Sequence, residues 1–356
     1  MMMNASLTSS THPEYGEVTV PFPIPDEVYD HMMDLLSSLG IGDVLAQDCR
    51  VVGLESRYPV LDRLEGTVVN VDELDYLAKR LDSFCAGEDD QFLAMAHKLD
   101  LENVKDFINL TFCCQQATVI TNFSDLERIG KDHLMTLNGG GMPIDQYRTI
   151  DGTKEALRLI QGGGETVTPF GVVYDNGMEL EQLYDGRHFP SYLYKPSVLA
   201  LEAVSDDAEG YFCLPISNRQ LQRTIERAGL EYRDIPLDVI LDELPEKAAD
   251  VLALEKLTVN DLPELNRMCW AIEPLNDADI EKLNAVILLA KPTDASSISQ
   301  LAEHLDQFDF IPGLQTQASG GQLNECGYVS YHGAMPLEEL MGEEPAEQPE
   351  QEMRMM

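Results

Sequence analysis

Apolar residues recur at every third or fourth position in two matching stretches of the chain. Residues 73–81 read ELDYLAKRL and residues 264–272 read ELNRMCWAI, so each places its apolar side chains on one stripe. This spacing predicts two amphipathic helices. Asparagine and aspartate are preferred helix N-caps. The candidate caps are Asn70 and Asp72 for the first helix and Asn260 and Asp261 for the second.

The segments ahead of these helices also match. VTVPFPIPDEVYDHMMDLLSSLGI begins at Val18, and GYFCLPISNRQLQRTIERAGL begins at Gly210. Each predicts a short strand ending in Pro-Ile, followed by a helix. Gly40 and Gly229 lie where a left-handed C-cap is expected. The two segments therefore predict the same strand–helix unit.

The correspondence continues to the end of each stretch. Phe92, Met95 and Ala96 of a second predicted helix match Leu283, Val286 and Ile287, and a third helix is expected to begin with Val104 and Phe107 or with Ile298 and Leu301. The sequence FGVVYDNGMELEQL from residue 170 is similar to CGYVSYHGAMPLEEL from residue 326. Asn176-Gly177 in the first is typical of a hairpin turn. Matches in this order indicate an internal repeat.

The repeat predicts an elongated α+β fold with two tandem copies of a small sheet plus helical-bundle module. The copies are expected at residues 18–183 and 209–340, joined by a linker at 184–208. The first copy carries a glycine-rich insertion around residues 139–141 and 162–164. Residues 1–17 and the acidic tail 341–356 lack an apolar pattern, so both are expected to be disordered.

Charge sets this chain apart from an ordinary globular protein. It has 356 residues, 63 of them acidic and 24 basic, for a formal net charge of -39. Such a field repels nucleic acid and anionic lipid and attracts basic partners. At the charge density of duplex DNA, one charge per ~1.7 Å, this charge would extend over roughly 66 Å, or about 20 base pairs. General solubility, adaptation to high salt and calcium binding are alternative reasons for acidity.

The carboxylates on predicted helices and their flanks form the candidate partner-binding surface. They are Asp72, Asp75, Asp82, Glu88, Asp89, Asp90, Asp238, Asp242, Glu243, Glu246, Asp250, Asp261, Glu264, Asp277, Asp279 and Glu281. Some stand at helix N-termini, where a carboxylate also stabilises the helix dipole. That structural role leaves the scarcity of lysine unexplained, so we expect the remainder to contact a basic partner.

Other sequence signals argue against catalysis, secretion and membrane insertion. The seven cysteines form no CxxC pair and lie mostly in apolar runs, which favours a reducing, cytoplasmic location without disulfides. The N-terminus lacks the charged and apolar regions of a signal peptide, and no stretch is long and apolar enough to span a membrane. No phosphate loop, zinc motif, GxSxG or calcium loop occurs. We therefore expect no enzyme activity, metal or cofactor.

Short motifs resemble the ArdA-type antirestriction proteins of conjugative elements. The second copy carries FCLPI at 212–216, RQL at 219–221, AGL at 228–230, LPELNR at 262–267 and SSISQL at 296–301. The first carries FPI at 22–24, DELDYL at 72–77 and SDLER at 124–128, and GYVSYHG at 327–333 resembles the C-terminal strand pair of that family. The chain departs from the family in having two copies and in lacking an extra strand turn before each Pro-Ile segment.

The resemblance implies a protein that mimics bent DNA and occupies the DNA-binding groove of a type I restriction-modification enzyme. The expected partner is thus a DNA-binding protein or complex, with no nucleic acid and no membrane, and the chain itself is expected to form a homodimer or an intrachain pseudo-dimer. An acidic adaptor or chaperone for a basic protein of a mobile genetic element is the alternative. An enzyme with an unrecognised site is the third possibility. A concave apolar groove would favour the adaptor, and a deep pocket with convergent polar groups the enzyme.

Overall fold

The computed structural model describes residues 2–205, 208–231, 234–313 and 321–342. The chain divides into two compact units, Met1–Pro190 and Ser191–Met356, called unit 1 and unit 2 below. Both combine small antiparallel sheets with helices, so the predicted α+β class is confirmed.

Unit 1 contains two sheets and seven α-helices among its described residues. Its strands are β1 (Met3–Ser9), β2 (Glu17–Phe22), β3 (Cys49–Ser56), β4 (Val68–Val69), β5 (Thr118–Ile120), β6 (Thr166–Thr168) and β7 (Gly171–Tyr174). Its helices are α1 (Tyr29–Ser38), α2 (Val71–Asp82), α3 (Glu88–Lys98), α4 (Val104–Leu110), α5 (Leu126–Leu137), α6 (Ile144–Thr149) and α7 (Gly152–Gly162). The sheet orders are β2-β1-β3-β4 and β5-β7-β6.

Unit 2 repeats much of this arrangement. Its described strands are β8 (Leu199–Ser205), β9 (Ala208–Leu214), β10 (Asp238–Asp242), β11 (Phe308–Pro312), β12 (Gln322–Leu323) and β13 (Gly327–Tyr331). Its described helices are α8 (Asn218–Ala228), α9 (Glu246–Leu252), α10 (Leu262–Ile272), α11 (Asp277–Ala290), α12 (Ala295–Glu303) and α13 (Leu337–Leu340). The sheet orders are β10-β8-β9 and β11-β13-β12, and the tandem repeat stays a prediction.

The predicted helix signals are largely found where expected. Asn70 caps α2, and its side chain and that of Glu73 form a capping box. In unit 2 the capping box instead lies one turn earlier, between Thr258 and Asp261. Gly40 and Gly229 adopt positive φ angles of 71° and 72° at the ends of α1 and α8, as the sequence indicated.

Two of the expected segments between and before the copies were wrong. Residues 1–17 are not a disordered segment, because β1 lies between β2 and β3 and alternates buried side chains. The linker at 184–208 is also wrong, since Tyr184 is fully buried in unit 1 and β8 is a strand of unit 2. Both units thus have a further strand, β1 or β8, that pairs with the strand ending at the Pro-Ile segment. Of the acidic tail 341–356, residues 343–356 lie outside the described residues.

Two smaller expectations also change. Helix α4 begins at Val104 after its N-cap Asn103, and α12 begins at Ala295 after its N-cap Asp294. Val104 therefore corresponds to Ala295, and the predicted match of Val104 to Ile298 was one turn out of register. A shift of three residues keeps the apolar stripe in place, and periodicity alone could not detect it. Asn176 and Gly177 form a left-handed turn, but no strand follows within the described part of unit 1.

Each unit buries its own hydrophobic core. The unit 1 core lies between its four-stranded sheet and helices α1 to α4 and includes Phe22, Phe92 and Phe107. The unit 2 core includes Phe212, Met268 and Phe308. The insertion of unit 1 forms a third, small cluster in which Ile129 and Ala156 bring α5 against α7.

Candidate acidic surface and groove

The carboxylates predicted on α2 do not share one environment. Asp75 is buried, its Oδ1 accepts a hydrogen bond of 2.7 Å from the backbone N–H of Ile24, and its Oδ2 lies 2.7 Å from Nζ of Lys79. Asp75 therefore belongs to the interior of unit 1 and not to a partner surface. Asp82 is exposed at the end of the helix, and Asp72 is half-buried in its first turn.

The carboxylates at the start of α3 take part in local contacts. Glu88 accepts a hydrogen bond of 2.6 Å from the backbone N–H of Cys85. Asp89 accepts one from the hydroxyl of Tyr58 and one of 3.2 Å from Arg57. Asp90 is exposed, and partial desolvation, with the neighbouring charge of Asp89, raises its pKa. Only part of this acidic run is therefore open to a partner.

In unit 2 the edge strand β10 carries exposed carboxylates. Asp238 and Asp242 of β10 and the following Glu243 are all exposed, and among the described strands β10 pairs only with β8. Asp242 additionally accepts a hydrogen bond of 3.0 Å from the backbone N–H of Leu244. Their clustering at a sheet edge was not evident from the sequence, which predicted strands between the first helix and the helical bundle of each copy but did not assign them to residues.

Lys247 forms ion pairs with carboxylates that follow β10. Its Nζ lies 2.8 Å from Glu246, 3.5 Å from Asp250 and 2.8 Å from Glu325. Hydrogen bonds to Glu246 and Glu325 raise the pKa of Lys247, which holds its positive charge. Sequence reasoning missed Glu325, because its proximity depends on the approach of the loop before β13 to α9.

Of the remaining predicted carboxylates, two form hydrogen bonds at helix N-termini and the others are exposed. Asp261 accepts hydrogen bonds from the backbone N–H and the hydroxyl of Thr258, at 2.7 and 3.0 Å. Asp279 accepts one of 2.6 Å from the side chain of Asn276, the N-cap of α11. The exposed remainder is Glu264, Asp277 and Glu281.

Most of the candidate carboxylates are exposed in the structure. The exposed members are Asp82, Asp90, Asp238, Asp242, Glu243, Glu246, Asp250, Glu264, Asp277 and Glu281, the half-buried members are Asp72, Glu88, Asp89, Asp261 and Asp279, and Asp75 is buried.

Unit 2 also has an open groove between α8 and α10. It has a volume of about 570 Å³ and is lined by Leu221 and Ile225 on one side, Arg267 and Trp270 on the other, and Glu303 at one end. Trp270 is 43 % exposed although its Nε1–H donates a hydrogen bond of 2.9 Å to the carbonyl of Ile216. Sequence reasoning placed Trp270 on the helix but gave no sign that the ring would line a groove.

The described residues offer little for nucleophilic or metal chemistry. All seven cysteines are free, and burial raises the pKa of the Cys49, Cys114 and Cys269 thiols, which disfavours their reactive thiolates. Within the described ranges no group of three His, Cys, Asp or Glu side chains could hold a metal ion. No described helix is both long and apolar enough to cross a membrane.

Comparison with known proteins adds no relative. The chain matches no protein-family model, no curated protein and no solved structure.

Proposed function

We propose that this protein mimics DNA and inhibits a DNA-binding enzyme by competition, with a type I restriction-modification enzyme as the first target to test. The observation that carries the proposal is a formal net charge of -39 combined with exposed carboxylates on the folded elements of both units. The motif resemblance to ArdA-type antirestriction proteins supports this choice of target.

Protein grooves that hold DNA rely on many lysine and arginine contacts to phosphate, each of modest strength. A mimic must therefore present many negative groups rather than one dominant residue. The carboxylates on β10, around α9 and at the start of α11 are of this kind, since several of them are exposed on neighbouring stretches of unit 2. Asp82 and Asp90 provide exposed negative charge in unit 1.

An acidic adaptor for a basic protein is the second candidate, and the groove between α8 and α10 favours it. An adaptor would bind its partner partly through apolar contact, and Leu221, Ile225 and Trp270 provide such a surface. The groove is open, and its polar lining consists of Asn218, Gln222 and the pair Arg267–Glu303, whose charged atoms are 3.8 Å apart. This does not resemble a deep pocket with converging catalytic groups.

The test is inhibition of a purified type I restriction enzyme at increasing concentrations of unmodified DNA and at two salt concentrations. Mimicry predicts that DNA overcomes the inhibition. It also predicts that salt weakens it, because the Debye length falls from ~10 Å at 0.1 M to ~3 Å at 1 M. Inhibition insensitive to both DNA and salt would exclude mimicry of this target. Loss of all inhibition after one Asp→Asn change would indicate an enzyme.

A further inference from the structure

In unit 1 the segment at residues 184–190, called the strap, folds over α2. The ring of Phe189 stacks on Tyr76 at 4.4 Å between centroids, and Tyr184 stacks on the same Phe189 at 5.0 Å. The Tyr184 hydroxyl donates to Glu73 at 2.9 Å, and the Tyr76 hydroxyl donates to the Pro190 carbonyl at 2.7 Å. Two aromatic rings and a buried hydroxyl thus attach the strap to this helix.

Helix α10 is the counterpart of α2 in unit 2. Asp75 of α2 and Asn266 of α10 each accept a hydrogen bond from the backbone N–H of the isoleucine in the Pro-Ile segment of their unit. The distances are 2.7 Å from Ile24 and 2.9 Å from Ile216. This common bond fixes the register of the two helices. At matching positions, Glu264 then stands in the place of Glu73, Arg267 in the place of Tyr76 and Trp270 in the place of Lys79.

The two faces differ in how far they are covered. Glu73 is 3 % exposed beneath the strap, whereas Glu264 is exposed. Leu36 of α1 is completely buried, but its counterpart Ile225 of α8 is only half-buried beside the groove. These helix ends correspond because Ile41 and Leu230 donate the same type of backbone bond to Leu36 and Ile225. Unit 2 thus leaves Glu264 open at the position where the strap buries Glu73, and Ile225 partly open where Leu36 of unit 1 is buried.

The segment that follows β13 in unit 2 differs from the strap of unit 1. After β13 the chain reaches α13, where Leu340 is buried and the carbonyl of Met341 accepts a hydrogen bond from Ser297 of α12. The sequence beyond Tyr331 contains no phenylalanine, tyrosine or tryptophan. Residues 332–342 therefore do not provide a counterpart of the strap's rings.

We propose that the groove between α8 and α10 binds an extended peptide of a partner protein that presents a tyrosine and a phenylalanine as the strap does. The tyrosine hydroxyl donates to Glu264, which lies on α10 one turn before the groove residue Arg267, and the phenylalanine packs against the guanidinium of Arg267 and the ring of Trp270. Arginine and tryptophan both stack favourably on aromatic rings and are frequent among residues that dominate binding. Between its rings the strap carries Asp185 and Arg187, a charge pair complementary to Glu303 and Arg267.

The test titrates the full-length protein with the peptide Tyr-Asp-Gly-Arg-His-Phe-Pro, which has the sequence of residues 184–190. Trp270 is the single tryptophan of the chain, so its emission reports directly on the groove. We expect a saturable change in emission. The affinity should fall on the order of tenfold when alanine replaces the phenylalanine of the peptide, the scale of losing one well-packed aromatic contact. Arg267→Ala should weaken binding similarly, and Lys256→Ala, which removes an exposed positive charge outside the groove, should leave it unchanged.

Three results would overturn the proposal. They are the absence of a saturable change, an equal affinity for the alanine-containing peptide, and an equal loss of affinity in the Lys256→Ala variant. Sedimentation of the protein alone identifies another occupant. If the chain dimerises and Arg267→Ala abolishes the dimer, the groove is an interface between two copies and not a peptide site. The outcome does not depend on whether the protein inhibits a DNA-binding enzyme.

Discussion

Asp75 and Asn266 accept the same backbone hydrogen bond, one in each unit. Asp75 accepts from Ile24, and Asn266 accepts from Ile216 and also donates to the Ile216 carbonyl at 2.8 Å. Both side chains are buried, but only Asp75 is charged, and Lys79 beside it balances that charge. Two different residues thus connect the strand end to the following helix in equivalent positions.

This relationship predicts how the two positions respond to mutation. Asp75→Ala and Asn266→Ala each leave a buried backbone N–H without its acceptor, which costs about 1–3 kcal/mol. Asp75→Asn keeps an acceptor for Ile24 and should be less damaging than Asp75→Ala. Denaturant unfolding followed for each variant checks the order. Equal stability of the Asp75→Ala variant and the wild type would contradict the proposed role.

The insertion of unit 1 predicts a second stability effect. A Cβ added at Gly130 of α5 would lie 1.9 Å from the carbonyl oxygen of Gly152 at the start of α7. Gly130→Ala should therefore push α5 and α7 apart and destabilise the insertion by about 1–3 kcal/mol, as overpacking does. Gly141→Ala is the control, since its Cβ would meet no atom within 4 Å. Hydrogen exchange of the α5 and α7 amides should increase only in the first variant.

Asp175 predicts a change in stability with pH. A hydrogen bond from Lys98, with Nζ 2.5 Å from Oδ2, lowers the pKa of Asp175 below its ordinary value of 3.8. A carboxyl with a lowered folded pKa stabilises the protein above its unfolded pKa, and that stability is lost as pH falls through the folded value. Asp175→Asn should therefore cost ~0–1 kcal/mol near neutral pH, since the carboxylate is 43 % exposed, and nothing in strong acid.

Comparing the free energy of unfolding at several pH values tests this effect. In a Lys98→Met background the Asp175→Asn change should lose most of its pH dependence, because the partner charge is absent. A difference that persists unchanged into strong acid would show that Asp175 acts through its turn geometry and not through its charge.

The stretch from Asp242 to Asp250 predicts unequal contributions to DNA mimicry. Lys247 already compensates Glu246 and Asp250, whereas Asp242 and Glu243 are exposed before α9. Removing single surface charges alters binding by ~0–1 kcal/mol each. The Asp242→Asn/Glu243→Gln variant removes two charges, so it should weaken inhibition of a DNA-binding enzyme by about 1–2 kcal/mol, at most twice the effect of one charge. Glu246→Gln/Asp250→Asn, with the same change in charge, should weaken it less. Inhibition constants at low salt provide the comparison, and the reverse order would be evidence against this charge assignment.

The sequence by itself determined the features that depend on neighbouring residues. Apolar stripes placed α2 and α10, Asn70 identified a cap, and Gly40 and Gly229 marked two helix ends, because each of these depends on side chains within one or two turns. Acidity and its distribution over folded segments were equally readable from the chain.

Only the tertiary structure decided which side chains are buried and which segments pair at a distance. Asp75 and Glu73 look like surface carboxylates in sequence, but packing of the Pro-Ile turn and of Tyr184 places them inside unit 1. The strand β1 was missed because its sequence MNASLTS carries only three apolar residues; it is held in the sheet by pairing with β2 on one side and with the more distant β3 on the other. The groove at Trp270 likewise lies where α8 and α10 meet, so it is a property of the packed unit and not of either helix alone.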